Sequence, residues 1–179
     1  MFKPTHPIID FSPQAHWQWL YDRKRATLTL NMGSRVVAIN YKKSMLTLSF
    51  DQPVFFTVED VASYIEMFED PAFTQYSPPF RCRLILHILA VQLFHKPIMP
   101  KNWFFLTHTG KQHQGRQGDH VILISSELKE AKMYFVLENK DDFILCMLLE
   151  KSHALTPSRT FKQFQVVKVA HDKIVARKS

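Results

Sequence analysis

Alternation is the first pattern along the chain. In HWQWLY at 16–21, Trp17, Trp19 and Tyr21 fall on one face and the polar or smaller positions on the other, the period of a half-buried strand. ATLTLNM at 26–32 repeats it, with Leu28, Leu30 and Met32 on one face and Thr27, Thr29 and Asn31 on the other. DRKR at 22–25 supplies the first turn and Gly33-Ser34 the second, since glycine reaches the positive φ that tight hairpins need. RVVAINY at 35–41 predicts a third strand and MLTLSF at 45–50 a fourth.

The period then changes. TVEDVASYIEMF at 57–68 puts Val58, Val61, Ile65 and Phe68 on one side of a helix, with Thr57 and Asp60 as a capping pair at its start. Asp70-Pro71 and Ser77-Pro78-Pro79 punctuate the chain before FRCRLILHILAVQLFH at 80–95. Apolar on nearly every side, this second helix is expected to be the central packing element, and Pro97 stops it.

From residue 103 the sequence returns to strands: WFFLT, HVILISS, AKMYFVLE, FILCMLL and FQVVKVA, with turns such as Asn139-Lys140-Asp141-Asp142 between them. Three of the four glycines, Gly110, Gly115 and Gly118, lie in THTGKQHQGRQGD, which is expected to be a mobile surface loop. The fold class predicted is α+β. Residues 1–102 would form an N-terminal domain of a strand meander plus two helices, and residues 103–179 a small β-barrel or sandwich.

Composition narrows the function. A 179-residue chain that is 46% hydrophobic can bury a real core. No apolar run is long enough to span a bilayer, and MFKPTHPIIDFSPQ lacks the pattern of a signal peptide, so a cytoplasmic protein without membrane insertion is expected. Cys82 and Cys146 sit inside apolar runs and read as buried thiols, not as a disulfide or zinc framework. The net charge of +7 favours acidic partners, although cations such as Arg23-Lys24-Arg25, Lys42-Lys43, Lys173, Arg177 and Lys178 are dispersed and mostly read as solvated surface.

No catalytic chemistry stands out. The glycine-bearing loop leads to a strand and lacks a G-K-[ST] ending, which argues against a phosphate cradle. His108, His113 and His120 match no standard zinc spacing. Glu59-Asp60 at a helix start and Asp141-Asp142 in a turn have sufficient structural explanations. No Ser, Cys or Thr has the setting of a nucleophile, so neither an enzyme nor a cofactor is expected.

Several segments, in order, resemble the family of the cell-division protein ZapC: HWQWLYDRKRATLTLNM, FFTVEDVASYIEMFED, LILHILAVQLFHKPIMPKNWFFLTH, QGDHVILIS and KMYFVLENKDDFILCMLLE. The most specific is KPIMPKNWFFLTH, which follows a K-P-x-M-P-K-x-W pattern, and the resemblance spans roughly residues 16–175. The chain departs from the family in about eight extra N-terminal residues, in the 69–79 linker, and at 156–165, which lacks a glycine-aspartate turn.

The resemblance implies two domains, an N-terminal α/β domain over 1–102 and a C-terminal twisted β-barrel-like domain over 103–179, in a non-enzymatic cytoplasmic adaptor at the mid-cell division ring. Such a protein binds FtsZ directly, promotes lateral association of its polymers, stabilises the Z-ring and lowers GTP turnover. It implies contact roles for Lys96 and Lys101, presented from a loop stiffened by Pro97 and Pro100. Leu30 also matches a binding-linked position, but on the apolar face of its strand its loss would disturb folding instead. Trp103 and Phe105 are expected to enter the core. With no coiled-coil stripe, a monomer is expected. The rival readings are a single-stranded nucleic-acid-binding β-barrel module and a scaffold for another protein partner. Against the first, most aromatics fall on predicted core faces, and no nucleic-acid partner is expected.

Overall fold

A computed structural model describes residues 11–109 and 115–176. The chain divides into two compact units, Met1–Lys96 and Pro97–Ser179. In chain order the strands and helices are β1 (Gln18–Asp22), β2 (Thr27–Asn31), β3 (Val36–Ala38), β4 (Val54–Phe55), α1 (Val58–Glu69), α2 (Pro71–Thr74) and α3 (Pro78–Phe94). The second unit adds β5 (His120–Ile124), β6 (Ala131–Lys140), β7 (Phe143–Leu148), β8 (Ser152–Thr156), β9 (Arg159–Lys162), β10 (Val166–Val169) and β11 (Ile174–Ala176). The fold is α+β, with helices confined to the first unit and antiparallel sheets in both.

In the first unit the predicted meander forms an antiparallel sheet in the order β3-β2-β1-β4. Trp19 pairs with Leu30 and Leu30 with Val37, and Leu28, Leu30 and Met32 are all buried, as their alternation required. Gly33, at φ 83°, makes the turn between β2 and β3, where Met32 N–H donates to Arg35 C=O at 2.8 Å. A side chain there would strain the backbone and meet the His16 ring. The third strand is shorter than RVVAINY suggests, because Asn40 turns to a left-handed φ of 49°.

The expected fourth strand at 45–50 is absent. Lys43–Met45 form a 3₁₀ turn, and Thr47 N–H donates to Phe94 C=O at 2.7 Å. The backbone of this segment therefore bonds the end of α3 instead of a sheet, and only Leu46 bridges, to His95. The strand next to β1 is β4, formed by two residues further on.

In α1 the cap is as predicted but the buried face is not. Asp60 N–H donates to Thr57 Oγ1 at 3.2 Å, and the Asp60 carboxylate accepts from Thr57 N–H at 2.9 Å. That reciprocal box lets Asp60 be buried, and Tyr64, one turn on, meets Trp17 edge-on at 5.7 Å. The buried stripe runs through Asp60 and Tyr64, leaving Val58 80% exposed at the helix start. The short α2 was not foreseen. Asp70 caps it through Ala72 N–H, with Pro71 at its first position, a pairing that the Asp-Pro dipeptide encodes.

Helix α3 is the packing element expected, buried continuously from Leu84 to Ala90. Phe94 meets Trp19 at 5.5 Å and Phe50 at 5.0 Å. His87 lies wholly inside, edge-on to Tyr41, and its Nδ1–H donates to the Arg83 carbonyl at 2.6 Å.

The second unit is a five-stranded antiparallel sheet in the order β10-β7-β6-β5-β11, with β8 and β9 as a separate hairpin. Val121, Tyr134, Cys146, Val167 and Ile174 of the sheet share a core with Leu155 and Phe161 of the hairpin. Buried His153 ties the two together. Its Nε2–H donates to the Glu130 carbonyl at 2.9 Å, so Nδ1 is left to accept the Tyr134 hydroxyl at 2.8 Å. The Glu130 carboxylate accepts Ala154 N–H at 2.7 Å and pairs with Lys132, which also pairs with Glu150. These contacts hold the Glu130 carboxyl below its ordinary range.

WFFLT forms no strand; Asn102–Phe104 make a 3₁₀ turn and only Phe105 bridges, to Ser125. Strands β8, β9 and β11 were not predicted, being short and partly polar. Gly118, at φ 91°, lies in the described part of the expected mobile loop. Gly110 to Gln114 lie outside the described residues, as do Arg177 and Lys178.

Burial pushes His87 down to about 3 and lowers His153 as well. The unfolded chain protonates these histidines near pH 6.5 whereas the folded chain resists, so stability is complete above that pH and falls in acid. The His87 contribution to stability at pH 5 is a loss of roughly 2 kcal/mol. Urea unfolding at pH 7.5 and pH 5 measures the fall, and His87→Phe should show less of it. Leu30→Ala should cost about 2–5 kcal/mol in the same assay.

Candidate protein-docking site

The predicted contact residues stand in different settings. Leu30 is fully buried in β2 and has no surface to offer a partner. Lys96 is exposed just beyond α3 in the first unit, its backbone N–H bound to Met45 C=O at 2.8 Å. Lys43 and Lys96 flank a shallow recess there with Leu48, which is itself exposed. Lys101 belongs to the second unit.

Around Lys101 the backbone is tightly held. Lys101 N–H donates to Lys168 C=O at 2.8 Å, and the Asn102 side-chain oxygen accepts Ala170 N–H at 2.7 Å. Five residues along, Leu106 N–H donates to Ile124 C=O, while Ser126 donates its N–H to Phe104 C=O and its hydroxyl to Trp103 C=O. The segment is thus fastened at β10 and at the end of β5, with the 3₁₀ turn between.

That turn reverses one expectation. Strand alternation would have sent Trp103 inward with Phe105, but in the turn only Phe105 enters the core and Trp103 is 64% exposed. Met99, four residues before it, is 77% exposed. Lys101 Nζ lies 5.6 Å from the centre of the Trp103 ring, a cation–π contact of about 0.5–1 kcal/mol in water. Trp103 also leans on Phe104 at 5.5 Å, and the Arg159 guanidinium covers Phe104 at 5.1 Å.

The Lys101–Lys168 backbone bond extends the surface. Lys168 Nζ sits 3.6 Å over the Phe143 ring, with Lys140 at 5.9 Å. Lys140 also pairs with Glu138 at 2.7 Å, and Asp141-Asp142 form the adjoining turn. Three aromatic rings are therefore each paired with a cation in one string from Arg159 to Lys140. Sequence reasoning missed Phe104, Phe143, Arg159 and Lys168. The visible signal was Lys168, an outward position in the alternating FQVVKVA.

Residues 10–96 match the family described as cell-division protein ZapC, N-terminal, and residues 97–179 match cell-division protein ZapC, C-terminal. A cell division protein ZapC of Psychromonas ingrahamii is 61% identical over 100% of this chain and 95% of its own length. The chain belongs to the ZapC family. Cell division protein ZapC of Aeromonas hydrophila is 31% identical over 92% of each chain. That of Vibrio cholerae is 30% identical over 90% of this chain and 89% of its own. The ZapC-family boundary at 96/97 coincides with the division into compact units.

Among the described residues, no group of three His, Cys, Asp or Glu side chains is gathered as for a metal ion. His120 packs edge-on to Phe135, and His113 lies outside the described residues. Both cysteines are free and buried, and burial raises the thiol pKa of each. No helix of the described residues is long and apolar enough to cross a membrane.

Removing the Asn102 amide would leave Ala170 N–H without its acceptor. Asn102→Ala should therefore destabilise the protein by about 1–2 kcal/mol in urea unfolding. Trp103→Ala, which removes an exposed ring, should change stability by no more than about 0.5 kcal/mol.

Proposed function

We propose that this ZapC-family chain is a cell-division adaptor that binds FtsZ directly, promotes lateral association of its polymers, stabilises the division ring and so lowers GTP turnover. It acts by binding and not by catalysis, as a cytoplasmic monomer recruited to mid-cell. The observation that carries the reading is the exposed Trp103 under Lys101, inside the KPIMPKNW stretch that marks the family resemblance.

The physical case has two parts. A net charge of +7 draws the chain toward an acidic polymer from a distance. At contact, the exposed indole gives apolar area at low entropic cost, as does the exposed Met99 four residues before it, and aromatic anchors of this kind dominate protein interfaces. Lys101 and Lys96 contribute charge, each on its own unit. Leu30 acts through the fold alone.

The same ingredients favour one rival. An exposed indole beside a lysine can stack on a base of single-stranded nucleic acid. GTP-dependent pelleting with FtsZ, run beside a gel shift with single-stranded DNA, separates the two. The chain should pellet with polymer and not shift DNA. Trp103→Ala and Lys101→Asp should each reduce pelleting at least about fivefold, a loss near 1 kcal/mol, with unchanged melting. Bundling should weaken as ionic strength rises through about 0.15 M. A DNA shift without pelleting, or full pelleting by both variants, contradicts the reading.

A further inference from the structure

Helix α1 shows to water part of the side that its sequence would bury. Val58, Ala62 and Ile65 recur at the spacing of one helical face. All three are exposed, Val58 at 80% and Ile65 at 41%. The cap is the cause: with Asp60 and Tyr64 turned to the core, the residues on the far side of the helix stay outside. They form an apolar stripe about 10 Å long, and an exposed apolar stripe rimmed by charge marks an interaction surface.

Carboxylates supply that rim. Glu59 and Glu66, seven residues apart, run along one flank of the stripe, and Glu69 closes its C-terminal end; all three are exposed. Among the described residues none of the three is held in an ion pair. The next cation along the chain, Arg81, is committed elsewhere. Its guanidinium donates to the carbonyls of Phe68, Thr74 and Tyr76 and stacks on the Phe68 ring.

This acidity runs against the rest of the chain. Residues 44–80 hold six Asp and Glu and no Lys or Arg, in a protein whose net charge is +7. Residues 1–10 bring Lys3 and Asp10, whose charges cancel. A surface of this sign disfavours an acidic polymer, a nucleic acid or an anionic lipid surface and favours a basic partner. Shape adds a second requirement, since a stripe with the small Ala62 between two larger side chains accepts a helix laid against it.

We propose that the outer face of α1 docks a basic amphipathic helix of a second partner protein, distinct from the polymer bound through Trp103. Apolar side chains spaced three and four apart on that helix cover Val58, Ala62 and Ile65, and its flanking lysines or arginines meet Glu59, Glu66 and Glu69. The protein then carries two docking faces of opposite charge, one on each unit. A contact of this size is weak, with Kd on the order of 10 µM, and loosens as salt rises.

The probe is a fluorescein-labelled peptide of about four helical turns, with leucines along one face and lysines elsewhere, titrated into the full chain by anisotropy. It should bind and shift the backbone NMR resonances of residues 58–69. Glu66→Lys and Ile65→Ser, both at exposed positions, should each weaken it at least about fivefold, a loss near 1 kcal/mol, without lowering the melting temperature. Glu127→Lys, the same charge change on an exposed turn of the second unit, should leave affinity unchanged, and a peptide of scrambled pattern should bind far more weakly. Trp103→Ala should bind the probe like the unaltered chain, and Glu66→Lys should still pellet with FtsZ, so the two readings fail separately. No binding at millimolar probe, equal binding of the scrambled peptide, equal losses from Glu127→Lys and Glu66→Lys, or resonance shifts away from α1 overturns the proposal. So does tighter binding after deletion of residues 1–10, which would make the chain's own N-terminus the occupant. Self-association that Glu66→Lys abolishes overturns it too, by making the occupant a second copy.

Discussion

The hydrogen bond from Ala170 N–H to the Asn102 side chain, joined by that from Lys101 N–H to Lys168 C=O, fixes where the chain can go between Pro100 and Phe105. With one end held at β10 and the other at the end of β5, the chain crosses by a 3₁₀ turn and not by a strand. A 3₁₀ turn does not alternate its side chains, which is why Trp103 faces water while Phe105 is buried. Proline at 97 and 100 reduces the freedom of the approach. The exposed indole is thus imposed by backbone bonding elsewhere.

Aromatic rings serve two purposes in this fold. In the first unit, Trp17, Trp19, Phe56, Tyr64 and Phe94 meet one another in the interior, and their contacts lock the sheet to the helices. In the second, Phe105 packs in the same way against Tyr134 and Phe161, while Trp103, Phe104 and Phe143 each meet a cation. A cation beside a ring limits its apolar exposure without removing it, so such a surface stays compatible with water and retains area for a partner.

Where local pattern and long-range bonding agree, the sequence was readable. The faces of β2, the glycine turn at 33, the cap of α1 and the buried run of α3 all follow from spacing and turn chemistry. Legibility ended where a segment with strand-like alternation had no ladder to join. MLTLSF bonds a helix end, and WFFLT bends to meet two separate strands. In α1 the apolar stripe misled for another reason: Asp60 could be buried because the cap satisfies it, and that rotated the helix away from its most apolar side. Lys96, which is exposed, and Lys101, which is half-buried, were singled out only through the family motif. The cations over Phe104 and Phe143 come from distant strands, and spacing along the chain could not have joined them.

The central claim is that Trp103 is the surface on which the partner lands, and the chain is suited to test it by its own fluorescence. Of its three tryptophans, Trp17 and Trp19 are buried and Trp103 is exposed. Acrylamide quenching of the free protein should therefore resolve one accessible and two protected fluorophores. On addition of GTP-assembled FtsZ in which every tryptophan has been replaced, the accessible fraction should become protected. Continued quenching of Trp103 in a complex shown to have formed would contradict the account.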